Sequence, residues 1–188
     1  MIEKHYWKIK QAALDIDLCV VSKHHSIEEI QSYYDAGERI FAENRATELI
    51  FKAGTLPKDI AWHYIGHLQR NKVKEILPIV SCIQSLDNIA LAKVIEKEAT
   101  KLNRTVNVLI ELHLADEDTN KSGLDPADVD MFTNFLLQEC PHILIQGLMT
   151  MGPHTEDTAR IHEVFAKAQD IFKHLQETFG KQYFHTLS

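Results

Sequence analysis

Short apolar runs alternate along the chain with longer segments in which apolar residues recur every three or four positions. The short runs, at 18–23, 39–44, 61–66, 81–86, 107–115, 143–151 and 183–188, are read as β-strands. Several of them, LCVVS and NVLIEL among them, are apolar on both faces, as strands are when helices cover one side and a barrel interior the other. Between them the helix signals are local. Ser26 with Glu29 forms a capping box, Asp87 precedes an apolar stripe at Ala92, Ile95, Ala99 and Leu102, and Asp125 caps a turn that opens with Pro126. A last long helix carries Ile161, Phe165, Ala168, Phe172, Leu175 and Phe179 along one face.

An N-terminal helix followed by strands and helices in strict alternation predicts an α/β fold of the (β/α)8 barrel type that lacks its last strand and helices. A doubly wound open sheet is the alternative, weakened because no Gly-rich phosphate turn follows the first strand. No linker, repeat or low-complexity tract interrupts the chain, so 1–188 is expected to be one domain.

Composition narrows the function classes. With 188 residues, 45% hydrophobic and 25% charged, the chain can bury a sizeable core. A net charge of -7 argues against a nucleic-acid surface, despite the local basic spot at Arg70, Lys72 and Lys74. No stretch approaches the roughly 18 apolar residues of a membrane span, and the first residues lack a signal-peptide core, so the cytoplasm is the expected compartment. Cys19, Cys82 and Cys140 lack CxxC spacing and sit in or beside apolar runs, as reduced buried thiols do. His63 and His67 have an i, i+4 spacing, but the run is strand-like and no zinc pair is expected. His63 is expected to hydrogen-bond near the site and His67 to cap the following helix. His24 and His25, and the acidic loop at Asp116, Glu117 and Asp118, read as solvated.

In a parallel barrel the reactive face lies at the carboxyl ends of the strands. The polar residues there are Lys23, then Glu43 and Asn44, His63 to His67, Asp87, His113 and the loop after it, 149–154, and Ser188. Lys23 directly continues LCVVS, which would draw its amine toward the barrel mouth and partly out of water. An amine so placed is a nucleophile for an aldehyde. The competing reading is a lysine that snorkels out to solvent, and position alone leaves both open.

The segments VVSK, YDAGERIFAEN, DIAWHYIGHLQRNKVKEI, HLADEDTNKSGL, QGLMTM and YFHTLS, in that order and spacing, closely resemble the YggS/PROSC-type pyridoxal phosphate homeostasis proteins. That family is related in fold to the N-terminal barrel domain of alanine racemase. The resemblance implies a protein that holds pyridoxal 5'-phosphate (PLP) as a Schiff base on Lys23 and serves PLP homeostasis without robust catalysis. A low-activity amino-acid racemase or Schiff-base lyase is the alternative, with His63 or His113 as proton shuttle. Carried over to this chain, Asn44 would lie beside the cofactor ring on its 3-oxygen side, and Ile65, Gly66 and His67 would line the floor. Met149 would pack at the rim, and Lys121 would receive or release the aldehyde. PLP-dependent apoenzymes would be the recipients, and a monomer is implied.

Departures from the family pattern are also visible. Ala42 stands where the family usually has Gly, the stretch after Lys23 reads His-His-Ser, and the loop DEDTNKSG is one residue longer. The sequence given stops at TLS, where the family continues, so of the expected phosphate cradle only Ser188 is present. From this, weaker cofactor retention and open edges on the first and seventh strands, available for pairing, are expected.

Overall fold

A computed structural model of the protein describes residues 4–12, 16–115 and 122–188. Helix α1 (Lys4–Ala12) is followed by β1 (Val20–Val21), α2 (Ile27–Asp35), β2 (Ile40–Glu43), α3 (Ala46–Thr55) and β3 (Ala61–Tyr64). A 3₁₀ turn, Arg70–Lys72, leads into α4 (Val73–Ile76), then β4 (Val80–Leu86), α5 (Ile89–Lys101) and β5 (Val106–Leu112). A second 3₁₀ turn, Pro126–Asp128, opens α6 (Val129–Glu139), and β6 (Ile143–Thr150), α7 (Thr158–Phe179) and β7 (Thr186–Leu187) complete the described fold.

The strands form one seven-stranded parallel sheet in the order β1-β2-β3-β4-β5-β6-β7. Each strand pairs with its successor, so there is no point at which strand order reverses. Reversal is what a doubly wound sheet requires, and its absence leaves the curling barrel topology. Among the described residues β1 and β7 are the two edges, and each is only two residues long. The sequence runs at 18–23 and 183–188 are longer than these strands because a neighbour on one side alone supports a short ladder.

Side chains alternate across the sheet. One set, including Phe41, Trp62, Tyr64, Val108, Ile110 and Leu148, joins Ile30, Leu49, Leu91, Ile95, Leu136 and Leu175 from the helices in the main core. The helix starts mostly follow the sequence signals. Ser26 and Glu29 make both halves of the capping box, and the Asp125 side chain accepts from the Ala127 N–H beside Pro126. Two details differ. Asn88 caps α5 through its bond from the Leu91 N–H, because Asp87 accepts instead from the Asn88 amide. On α7, Phe165 is exposed and Val164, Ala168 and Leu175 are the buried residues, so the core-facing stripe lies one position off the phenylalanine.

Candidate functional site

The inward set of side chains builds the site. Strand alternation puts on this face Cys19 and Val21 before and on β1, Ala42 on β2 and Asn44 just past it, His63 on β3 and Ile65 just past it, Cys82 and Gln84 on β4, Leu109 and Glu111 on β5, and Met149 on β6. A cavity of about 260 Å³ opens among Cys19, His63, Cys82, Gln84, Leu109 and Ser188, and it extends toward the strand starts at Asp17, Ile40, Ser81 and Asn107. Gln84 ties its walls together. Its Nε2 donates to His63 Nδ1 at 2.7 Å, its Oε1 accepts from Ser188 Oγ at 2.8 Å, and Cys19 Sγ lies 3.9 Å from Nε2. An Nδ1 that accepts belongs to a neutral imidazole, and burial pushes the His63 pKa down in the same sense. Burial also raises the Cys19 thiol to about 11 and Cys82 to about 12, so both are protonated and poorly nucleophilic.

Lys23 follows β1 by two residues and is not among the residues that line this cavity. Ser22 O accepts from His25 N at 3.1 Å, which closes a turn with Lys23 and His24 at its centre. His24 has φ of 66°, the left-handed value that a type II turn demands of its second central residue and that glycine or asparagine usually supplies. The turn thrusts Lys23 outward. It is exposed, where partial burial was expected, because the turn carries it past the last sheet bond of β1, and its amine has no hydrogen-bond or ion-pair partner among the described residues.

Other expected residues gather at the same end. Asn44 is half-buried, and its buried Oδ1 has no donor among the described residues. Ile65 bonds through its N–H to Glu43 O at 2.9 Å, and the next residue, Gly66, presses on the Asn44 backbone so closely that a Cβ would fall 2.8 Å from Asn44 Cα. Only glycine permits that approach. Ile65, Gly66 and His67 therefore stand at the strand tip, and the layer beneath them is the His63 and Gln84 pair. His67 is exposed and caps no helix. Gln69 takes the N-cap position of the 3₁₀ turn, with no side-chain cap. Met149 lies deeper than a rim position, buried with Cys82 and Leu109, and the exposed Met151 takes the rim. Ser188 N donates to Leu148 O at 2.9 Å, which brings its side chain in to Gln84. Lys121 lies outside the described residues.

Three polar residues of the site were not singled out from sequence. Gln84 and Glu111 interrupt apolar strands at inward positions, a signal that strict alternation would have exposed. Lys52, buried on α3, gave no such signal. Glu111 is 3% exposed, accepts from Ser122 Oγ at 2.9 Å, and has its pKa raised by burial and, less, by the Asp87 charge, against the opposing pull of the Ser122 hydrogen bond and then of His67 and His113. A carboxyl raised in the folded state contributes stability that is present below its ordinary value of 4.5 and is lost as pH rises through the folded value. Glu111→Gln, which keeps an acceptor for Ser122, is therefore expected to melt higher than the parent at about pH 8 and to lose that advantage near about pH 4.5. Thermal melts across this range check it, and a difference independent of pH would contradict it.

The family described as "Alanine racemase, N-terminal domain" matches residues 1–188. The chain belongs to this family. Among relatives within reach of it, the "Pyridoxal phosphate homeostasis protein" of Aquifex aeolicus is 36% identical over 154 residues, 81% of this chain and 67% of that protein. PipY of Synechococcus elongatus, solved without PLP, is 31% identical with a TM-score of 0.89, over 97% of this chain and 86% of that one. PipY solved with PLP bound is 30% identical with a TM-score of 0.85, over the same shares. These agree with the family that the strand-end motifs resemble. They also agree on the fold, a parallel α/β sheet of the alanine racemase N-terminal type. Among the described residues no helix is long and apolar enough to cross a membrane.

Proposed function

We propose that this chain binds pyridoxal 5'-phosphate and takes part in its homeostasis, with Lys23 as the residue that holds the cofactor covalently. The observation that carries the proposal is that two neighbouring strand tips each present a polar group with no partner among the described residues, an amine on one and a buried acceptor on the other. Lys23 is displayed on a strained turn at the open end of the sheet, and the buried Asn44 Oδ1 at the next strand tip lacks a donor. These groups fit the cofactor's chemistry. When bound, PLP supplies an aldehyde that an uncharged amine captures with loss of water. Asn44 would lie on the 3-oxygen side of the ring, where its amide NH2 can donate, and the Gly66 contact would hold the Asn44 backbone in place. Ile65 and His67 would flank it, and Met149 and Ser188 would support it from the far strands. Ser188 and His63, joined through Gln84, give that layer fixed polar groups. Lys121 is the proposed second lysine for exchange, apoenzymes are the proposed recipients, and the cytoplasm is the proposed compartment. The residues form one barrel-type domain in this reading.

Support also comes from PipY, a relative of 30% identity whose solved structure has PLP bound. The test is gel filtration of the protein in buffer equilibrated with PLP, which reads weakly retained cofactor as well. The protein should emerge with close to one PLP per chain and the absorbance of a bound imine. Emergence of protein carrying no PLP beyond the buffer's own would overturn the proposal.

A further inference from the structure

Behind the turn that carries Lys23 lies a second lysine with opposite properties. Lys52, on α3, has a side chain 5% exposed, and its Nζ donates to Ser22 O at 2.8 Å, Glu43 Oε1 at 2.5 Å and Glu48 Oε2 at 3.2 Å. All three of its protons are therefore engaged, so Lys52 has no free electron pair to offer an aldehyde. One of those acceptors is the carbonyl of the residue that precedes Lys23. The same carbonyl closes the turn by accepting from His25 N. Ser22 is held at its other polar atoms too. Its N–H donates to Ala42 O at 2.9 Å, and its Oγ lies 2.8 Å from Glu43 Oε1 and 3.0 Å from Ala42 O.

We infer that Lys52 is a positioning residue for Lys23: from behind the sheet, with Glu43, it pins the Ser22 carbonyl and so fixes the turn that aims the Lys23 amine. The inference rests on the PLP reading above and adds to it a residue that never touches the cofactor. A buried ion pair is weak evidence of stabilisation, because well-packed apolar residues in its place are often as stable or more so. What apolar residues cannot supply is a donor to the Ser22 carbonyl. Without that donor, the turn would keep only the His25 bond to hold His24 at its left-handed φ. The Lys23 side chain would then sample a wider range of directions.

Lys52→Met alone strands a buried carboxylate and is a poor test of aim, so the informative variant is Glu43→Gln with Lys52→Met, in which both charges go together. The protein is incubated with PLP, trapped with borohydride at timed intervals, and the pyridoxyl group is located by peptide mapping. Leu175→Ala, a core truncation on α7, serves as a comparison for lost stability. The double variant should stay folded by circular dichroism while labelling at Lys23 slows on the order of tenfold and spreads to other lysines. Leu175→Ala should keep the parent rate and place of labelling. Labelling of the double variant at the parent rate, or an equal fall in Leu175→Ala, would overturn the inference. A parent protein that never labels at Lys23 would instead sink the PLP reading, and this inference with it.

Discussion

Lys23→Ala protein is expected to emerge colourless from gel filtration after incubation with PLP, with retention weakened at least ~100-fold, a ratio that represents about 2.8 kcal/mol of binding free energy. The size of the effect follows from what the other residues offer. Asn44 presents one orphaned acceptor and Gln84 one saturated amide, and neither makes a covalent bond. The fold should be untouched, because the Lys23 side chain is exposed and has no partner among the described residues. Unchanged circular dichroism and melting temperature would therefore accompany the loss. Retention equal to the parent's would mean that the cofactor is held elsewhere.

Lys52→Met is expected to be the most destabilising single change near the site, by roughly 3–5 kcal/mol, because it removes the cation paired with Glu43 at 0% exposure. For a chain of this size that is on the order of 10 °C in Tm. Among the described residues Glu43 Oε2 already lacks a partner, so none of them offers a spare donor to absorb the loss. Glu43→Gln together with Lys52→Met removes both charges, and its loss should be less than half that of the single variant. Denaturant unfolding of the two proteins measures this. Equal destabilisation would show that removing the Glu43 charge relieves nothing, and would contradict the stranded-charge account.

Local signals in the sequence carried most of the architecture. Alternating strand and helix periods specify consecutive parallel pairing, and the capping box at Ser26 and the Asp125-Pro126 start are readable because each lies within four residues. The strand-end residues Lys23, Asn44, Ile65, Gly66 and Ser188 were legible in the same way, since a parallel sheet sends its strand ends to one face. What was not legible depends on contacts between distant residues. A lysine inside an amphipathic helix reads as solvated, and only the fold brings Lys52 beneath Ser22, thirty positions earlier in the chain. The cap of α5 fell to Asn88 because Asp87 accepts from Asn88 and from Gly123 of a later loop, a competition invisible in a local window. The exposure of Lys23 follows from the left-handed φ at His24, a residue type that gives no hint of such a turn.

The most direct measurement is borohydride reduction of the PLP-loaded protein followed by peptide mapping of the fixed pyridoxyl group. It should fall on the peptide containing Lys23 and Ser22, in close to one equivalent per chain, with Lys52 unlabelled. A pyridoxyl group found chiefly on any other lysine would contradict the assignment of Lys23 as the residue that captures the aldehyde.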